Sequence, residues 1–428
     1  MQMNFKKADW INNTDVYEVN LRQYSKEGTF KAFMKELPRL QEMGVSTLWF
    51  MPITPISQKN KKGTLGSPYA CSDYTAINPE FGTLKDFKSL VNKAHKMGFK
   101  VIIDWVANHT GWDHVWTKTN PAYFEIDNDT NDFKIAYGMD DIIELDFNNP
   151  DLRKAMIDAM KYWVDTCDID GFRCDLAFWV QLDFWLEART ELEKTKTLFW
   201  LAECDGIEHA NYYEAFDACY TWTWMHKTEE FYKQNQDKKM LDHYLQEYNK
   251  VGGTDGIKLW FTSNHDENSW NGTEYEKYGV AATAFAVHSF TWNGIPLIYS
   301  GQEFPNKKRL EFFEKDVIDW DGEYRLNDFY KTLLNLHKTN PALRAGDAVA
   351  TTHILTTNLD HHVLAYLRKN GEDEVLVILN LSQYPLHCTI EDEKFTGSFT
   401  EVFNKKQINA TENLFFALEP WAYQVYVK

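Results

Sequence analysis

The 428-residue sequence lacks any apolar stretch approaching the roughly 20 residues that a membrane-spanning helix requires. Residues 1–10 also lack the apolar run of a signal peptide, so the sequence predicts a cytoplasmic protein, or an exported one whose signal has been removed. Positively charged residues are in the minority: the sequence has 45 Lys and Arg and 63 Asp and Glu, which gives a net charge of −18. This excess of negative charge repels phosphate backbones and anionic lipids, and it argues against nucleic acid and membranes as partners.

The six cysteines lack a Cys-x-x-Cys pair and a His partner at zinc-finger spacing, which predicts reduced thiols rather than a metal site. Cys174 and Cys204 each adjoin an acidic residue, which leaves a redox or nucleophilic role open beside that of a small buried side chain. Strand alternation points neighbouring residues to opposite faces, so the buried side chain is favoured.

Glycine-rich phosphate-binding sequences are missing as well. No Gly-x-Gly-x-x-Gly follows the first predicted strand, so an open dinucleotide-binding sheet lacks its main support. No glycine-rich loop follows the last predicted strands either, which argues against a barrel enzyme that acts on phosphosugars.

The sequence does contain a regular alternation of strand-like and helix-like stretches over most of its length. Eight strands with helices between them predict a closed (β/α)8 TIM barrel rather than an open sheet. The predicted strands cover residues 16–22, 45–53, 99–106, 171–176, 198–202, 218–222, 257–263 and 295–300. Helices are predicted over residues 30–40, 84–97 and 151–167. In the first of these, Pro38 predicts a kink or a boundary, and Gly44 ends the helix.

Two regions depart from this alternation. Residues 110–141 are rich in Asn, Asp, Gly and Trp without sustained periodicity, and they predict a short excursion domain at the barrel mouth. After Pro341 short apolar runs follow one another without helices, at residues 363–368, 374–381, 385–390, 398–403 and 422–427. The predicted domains are therefore a barrel in two parts, 1–109 and 142–342, the excursion domain, and a C-terminal antiparallel β-sandwich over 343–428.

Three carboxylates stand at the ends of predicted strands: Asp175, Glu203 and Asp266. A carboxylate that closes a buried strand of a parallel barrel faces its mouth, where barrel enzymes carry their chemistry and where an uncompensated charge is costly. Each acid alone could be a salt bridge or a helix cap. Three together predict a catalytic group.

Hydrolysis of an acetal needs such a group, because it passes through an oxocarbenium-like transition state between an ionised carboxylate and a carboxylic acid. Asp175 suits the ionised role, since Arg173 on the same strand face is expected to lower its pKa. Glu203 suits the acid role, because the residues that precede it in its strand are apolar, and apolar surroundings favour the neutral form of a carboxylic acid. Asp266, beside His265, is expected to bind ring hydroxyls. The carboxyl groups of Asp175 and Glu203 should lie roughly 5 Å apart.

The third predicted strand ends in further polar residues, Asp104-Trp105-Val106-Ala107-Asn108-His109. His109 is predicted to donate a hydrogen bond to a sugar hydroxyl. A metal-ligand role for His109 is disfavoured, because no second His lies at ligand spacing.

At these segments the chain resembles the α-amylase family of retaining glycoside hydrolases. The family's Asp-x-x-x-Asn-His matches residues 104–109, and its Gly-Phe-Arg-x-Asp matches residues 171–175. The resemblance implies that Asp175 is the nucleophile, Glu203 the acid and base, and Asp266 the transition-state stabiliser. It also implies substrate-binding roles for Tyr69, Asp104, His109, Arg173 and His265, with Tyr69 stacking under the sugar.

The implied substrates are starch-derived or malto-oligosaccharides, and hydrolysis is the predicted reaction. Many family members carry Lys-His where Phe178-Trp179 stand here, so we also predict Phe178 and Trp179 to bind substrate, on the acceptor side. An apolar acceptor side leaves transglycosylation open, and a non-catalytic carbohydrate-binding protein is disfavoured because all three acids are present. No cofactor is predicted to be required. Asn108 matches a position that often binds calcium, which leaves a structural calcium ion open, and the sequence predicts no oligomeric state.

Overall fold

The computed structural model describes residues 5–410 and 414–428. Eight parallel strands form a closed barrel, and the first strand pairs with both the second and the eighth, so that Val16 lies opposite Thr47 and Leu297. The barrel strands are Val16–Val19, Thr47–Phe50, Lys100–Trp105, Gly171–Cys174, Phe199–Asp205, Ala218–Tyr220, Ile257–Trp260 and Ile295–Tyr299. Each predicted strand contains or overlaps one of these, and the predicted TIM barrel is confirmed.

Alternate residues of the strands point to opposite sides of the barrel wall. Trp49, Ile102 and Leu201 pack inside the barrel in one buried cluster, while Leu48, Ile103 and the helices share the larger cluster outside. This two-sided burial explains why the strands are nearly continuous apolar runs, as parallel strands covered on both faces are. All six cysteines are free and buried, in agreement with the prediction of reduced thiols.

The helices of the described residues surround the barrel and connect its strands. They are Leu21–Tyr24, Phe30–Phe33, Leu37–Met43, Leu84–Lys96, Trp116–Thr119, Pro150–Cys167, Leu182–Leu192, Trp222–Gln234, Lys239–Lys250, Glu274–Tyr278, Ala282–Thr291 and Asn327–Thr339. The helix predicted over residues 30–40 is two helices, because Pro38 begins a new one in its first turn, where a missing N–H costs nothing. Gly44 ends it with φ 105°. Within the described part of the chain, no helix is both long and apolar enough to cross a membrane.

Short antiparallel strands fill the segment between the third and fourth barrel strands. One three-stranded sheet contains His109–Gly111, Ile135–Ala136 and Met139–Glu144, and a hairpin pairs Ile126–Asp127 with Asp132–Phe133. The first strand of this sheet starts four residues after the third barrel strand ends at Trp105. The sheet therefore stands directly at the carboxyl ends of the barrel strands.

The chain ends in antiparallel sheets. A six-stranded sheet and a two-stranded sheet together contain Thr351–Leu355, Val363–Asn370, Asp373–Asn380, Leu386–Cys388, Ser398–Glu401, Gln407–Asn409, Phe416–Leu418 and Tyr423–Val427. The sheets share a buried core that includes Leu367, Ile378 and Phe399. The predicted C-terminal antiparallel domain is confirmed, while its strands at 351–355, 407–409 and 416–418 are additions to the prediction. The domain limits at 109, 141 and 342 stay predictions.

Candidate active site

The three predicted acids line one cavity of about 500 Å³ at the carboxyl end of the barrel. Asp175 directly follows the fourth strand, Glu203 lies in the fifth, and Asp266 follows the seventh. The pairing register of the fifth strand with the sixth shifts between Ala202 and Asp205. Such an irregularity re-aims the side chain it contains, and here that side chain is Glu203.

Arg173 joins the acids from beneath the cavity. Its fully buried guanidinium donates from Nη1 to Oδ1 of Asp104 and to Oδ1 of Asp175, each at 2.9 Å. Nη2 lies 2.9 Å from Oε2 of Glu203, as an ion pair that is not aligned as a hydrogen bond. The Leu176 N–H donates to the same Glu203 oxygen at 2.9 Å. Asp175 and Glu203 are therefore held against one cation.

The pKa of Asp175 differs from the sequence prediction. Burial, and then the neighbouring Glu203 carboxylate, raise the pKa of Asp175 well above its usual range, although Arg173 opposes this. Arg173 does lower the pKa of Asp175, as predicted, but the expected net lowering was wrong, because one guanidinium faces three carboxylates and cannot offset their desolvation. The Asp175 carboxyl group consequently keeps its proton to a higher pH than an isolated carboxyl group would.

Asp266 and His265 also line this cavity. Burial raises the pKa of Asp266 to about 6, while His265, with Nε2 at 3.2 Å from Oδ2, opposes that rise. Burial also lowers the pKa of His265. Behind the ring, Nδ1 of His265 lies 2.5 Å from Oε1 of Glu18, a residue of the first strand that is fully buried. Burial raises the pKa of Glu18 well above its usual range, so the Glu18–His265 pair shares a proton.

Tyr69 lies flat across His265. The two rings are stacked with centroids 5.3 Å apart and planes 12° apart. The Tyr69 hydroxyl donates to Oδ2 of Asp104 at 2.9 Å and lies 2.8 Å from Nε2 of His265. Trp49 donates from Nε1 to the same Asp104 oxygen at 3.2 Å. Asp104 and Arg173 thus lie under the cavity wall and hold the residues that line it.

His109 lines the cavity with a buried imidazole. Neither ring nitrogen has an aligned hydrogen-bond partner among the described residues, although the backbone of Tyr69 lies beside the ring. Burial lowers the pKa of His109 to about 4, so the ring is neutral at pH 7 with one N–H and one free acceptor. A buried imidazole in this state has hydrogen-bonding capacity for a polar ligand.

The two aromatic residues predicted on the acceptor side separate in the structure. Trp179 lines the cavity and stacks on Tyr137 of the excursion segment, with centroids 3.4 Å apart. Phe178 does not line the cavity; its ring stacks on His209 at 4.4 Å. A helical turn at Ala177–Trp179 gives the two side chains these different directions.

Several cavity residues are absent from the sequence prediction. They are Lys62, Ser67, Met139, Asp141, Ile142, Trp270, Phe312 and Phe313. Met139, Asp141 and Ile142 belong to the strand Met139–Glu144 of the excursion segment, and the others lie outside the barrel strands, where no barrel periodicity marks a position. Glu18 was also missed, although a lone acid inside the apolar run Val16–Val19 is the signal that identified the other carboxylates.

Asn108 is the position at which a structural calcium ion was predicted. No group of three or more His, Cys, Asp or Glu side chains is arranged to hold a metal in the part of the chain that the structure describes. The Asn108 carbonyl accepts from Leu145 N–H at 3.1 Å, and its amide nitrogen, a donor, is buried without a partner. Calcium also takes amide and backbone carbonyl oxygens as ligands, so these observations do not test the site, and structural calcium stays a prediction.

Comparison with known proteins agrees with this geometry. A family model described as alpha amylase, catalytic domain, matches residues 5–136 and 118–321. The chain belongs to the alpha-amylase family. A second model, maltogenic amylase, C-terminal domain, matches residues 354–425. The family assignment and the enzyme class predicted from the sequence are thereby confirmed.

Individual family members resemble the chain over nearly its whole length. A noncanonic maltogenic alpha-amylase from Thermotoga neapolitana superposes with a TM-score of 0.85 at 28% identity, covering 97% of this chain and 96% of that one. An alpha-amylase from Lactobacillus plantarum gives a TM-score of 0.86 at 28% identity, covering 97% and 99%. An alpha-amylase from Haloarcula japonica is 27% identical over 88% of this chain, which spans 56% of that relative.

Proposed function

We propose that the protein hydrolyses α-glucosidic bonds of malto-oligosaccharides and starch-derived chains with retention of configuration. The observation that carries this proposal is the convergence of Asp175 and Glu203 on one guanidinium, with Asp266 in the same cavity. Retaining enzymes need two carboxyl groups close enough for one to attack the anomeric carbon directly, without room for a water between them. A pair that shares Arg173 supports that spacing.

In the first step Asp175 attacks the anomeric carbon, and the bond to the leaving oxygen breaks while Glu203 donates its proton to that oxygen. A covalent glycosyl–enzyme forms and the shortened sugar leaves. In the second step Glu203 takes a proton from water, the water oxygen attacks the anomeric carbon, and Asp175 is released.

The remaining residues act on the sugar ring. Tyr69 offers an aromatic face beside the reacting centre, a surface on which the apolar face of a sugar stacks. His109, His265 and Asp266 offer hydrogen bonds to ring hydroxyls. Asp266, when ionised, stabilises the positive charge of the transition state, because the buried site strengthens that attraction.

The test is an assay of new reducing ends on maltoheptaose with wild type, Asp175→Asn and Asp165→Asn. Asp165 is an exposed helical residue, so its variant controls for the chemistry of the substitution. We expect Asp175→Asn to lower kcat by about 10⁴-fold or more, since the covalent step disappears. Equal activity of wild type and Asp175→Asn would reject the proposal.

Transglycosylation is a second candidate, and the stacked Tyr137–Trp179 pair favours it. Trp179 N–H donates to the carbonyl of Leu176, whose own N–H holds Glu203, so the pair lies on the leaving-group side. An aromatic surface there can hold an acceptor sugar in place of water. Products longer than the substrate in a maltotriose digest would support transfer, and Trp179→Ala should reduce them more than it reduces hydrolysis.

A further inference from the structure

The last hairpin of the excursion segment has an unusual residue at its tip. Its strands, Ile135–Ala136 and Met139–Glu144, are paired antiparallel and joined by only Tyr137 and Gly138. Both connecting residues have positive φ, 48° for Tyr137 and 76° for Gly138. This is the pattern of a type I′ turn, in which Asn-Gly, Asp-Gly and Gly-Gly are favoured. Tyr137 is therefore strained, because its Cβ makes the left-handed backbone conformation costly.

The turn itself does not require the tyrosine ring. Asparagine would adopt the same backbone conformation at a lower cost, since its short polar side chain tolerates positive φ. Tyr137 is also 50% exposed, so its ring is not the buried core of the hairpin. Backbone strain of this kind persists where the surrounding structure maintains it, and it is concentrated at functional sites. The position of the Tyr137 ring therefore needs a reason outside the hairpin.

The ring of Tyr137 lies face to face on the ring of Trp179. Their centroids are 3.4 Å apart and their planes differ by 14°, so the two rings overlap almost completely. Trp179 is half-buried and lines the catalytic cavity, whereas Tyr137 itself does not line it. Tyr137 thus covers one face of the indole and leaves the rest of that side chain to the cavity. Its contact restricts how the Trp179 ring can turn.

The backbone that carries Trp179 contains a second strained residue, Leu176. It directly follows Asp175 and has φ 38° and ψ 50°, which is again the left-handed region. The Leu176 N–H donates to Oε2 of Glu203, and its carbonyl accepts from the Trp179 N–H, each at 2.9 Å. One turn of the chain therefore holds both the proposed general acid and Trp179. Tyr137 meets this turn from the excursion segment, so the indole is held through its backbone and through its ring.

We infer that Tyr137 is a positioning residue, which holds the Trp179 ring so that the leaving-group sugar of an α-glucan stacks on it. This inference rests on the proposed hydrolysis of α-glucans. Glu203 donates its proton to the leaving oxygen, so a ring tied to Glu203 through Leu176 adjoins the leaving group. A sugar loses less binding free energy to the ordering of side chains when the aromatic ring that it stacks on is already fixed. The strained turn is then the cost of a fixed Trp179.

The test compares α-maltosyl fluoride, whose leaving group is not a sugar, with maltoheptaose, whose leaving group is one. Tyr137→Asn keeps the turn and removes the ring, whereas Tyr137→Phe keeps the ring. We expect Tyr137→Asn to raise KM for maltoheptaose about tenfold with little change in kcat, because a contact that binds ground state and transition state equally affects KM alone. The rate of fluoride release should stay at the wild-type value, and Tyr137→Phe should match wild type on both substrates.

Tyr384→Asn is the matched control, because Tyr384 is a tyrosine of similar exposure, 55%, in the C-terminal domain, and its variant should equal wild type on both substrates. A wild-type KM of Tyr137→Asn for maltoheptaose, with its fold verified by a thermal melt, would overturn the inference and leave the proposed function standing. An equal loss on both substrates would also overturn it, since a displaced Glu203 impairs the attack of water in either case. Wild type no faster than Asp175→Asn on both substrates would refute the proposed function itself, and the inference would fall with it.

Discussion

Glu18 is expected to be a positioning residue whose effect on catalysis is exerted through His265. It lies in the first barrel strand, is fully buried, and has no route to the sugar except through the imidazole. The opposite ring nitrogen of His265 faces both the Tyr69 hydroxyl and Asp266. Replacing Glu18 by Ala therefore leaves Nδ1 of His265 without a partner and frees the ring to rotate.

The size of the effect follows from the strength of that contact. Leaving one partner of a buried hydrogen bond unsatisfied costs about 1–3 kcal/mol, and the contact between Glu18 Oε1 and His265 Nδ1, at 2.5 Å, is buried on both sides. If the whole of this energy is lost from the transition state, kcat falls by about 5- to 150-fold. KM should change little, because the Tyr69 face and His109 still bind the ring.

The assay is steady-state kinetics on maltoheptaose for wild type, Glu18→Ala and Glu18→Gln. Gln has the same shape and can either donate to or accept from the imidazole, so Glu18→Gln should recover most of the activity that Glu18→Ala loses. A thermal melt of each variant separates loss of fold from loss of positioning. A Glu18→Ala enzyme with wild-type kcat, or a Glu18→Gln enzyme as impaired as Glu18→Ala, would refute the positioning role.

Two further predictions concern pH. Because burial raises the pKa of Asp266 to about 6 and the ionised form is the one that stabilises the transition state, kcat/KM should fall as pH drops through about 6; a flat profile between pH 5 and 7 would contradict this. His288 is buried between Trp224 and Trp292, neither ring nitrogen has a hydrogen-bond partner among the residues that the structure describes, and burial lowers its pKa to about 3. The unfolded state then binds the extra proton below about pH 6.5, so stability falls as pH falls from there, by about 2–3 kcal/mol per such His at pH 4.5. His288→Phe should lessen the drop in Tm between pH 7 and 4.5, and an unchanged drop would show that His288 does not control it.

The barrel and its three acids could be predicted because their signals are local. An apolar run that ends in a carboxylate predicts a buried strand, and it places the acid at the carboxyl end of that strand. Asp175 and Glu203 are separated by 28 positions in sequence, yet parallel pairing of adjacent strands brings them together in any such barrel. The order of the strands was enough to predict that the acids meet.

The pKa of Asp175 and the contact of Lys62 with Asp141 could not be predicted in the same way. The sequence places Arg173 two residues before Asp175, but it does not show that Asp104 and Glu203 form ion pairs with the same guanidinium. The ion pair of Lys62 with Asp141 joins positions 79 residues apart, one in a loop and one in a strand of the excursion segment, and neither segment shows a sustained periodic pattern in the sequence. Contacts of this kind depend on the conformation of the segments at the barrel mouth, which hydrophobic patterning does not encode.

The charge balance of the cavity floor links the fold to the proposed chemistry. Glu18, Asp104, Asp175, Glu203 and Asp266 would together carry five negative charges against the single charge of Arg173, since burial keeps His265 neutral. The low dielectric of the barrel core makes such an excess costly, so some of these acids must hold protons at neutral pH. A retaining glycosidase needs that state, with one acid ready to donate while its neighbour attacks. The raised pKa of Asp175 is one result of crowding carboxylates around one cation, and removing that cation by Arg173→Met should abolish activity even where the protein still folds.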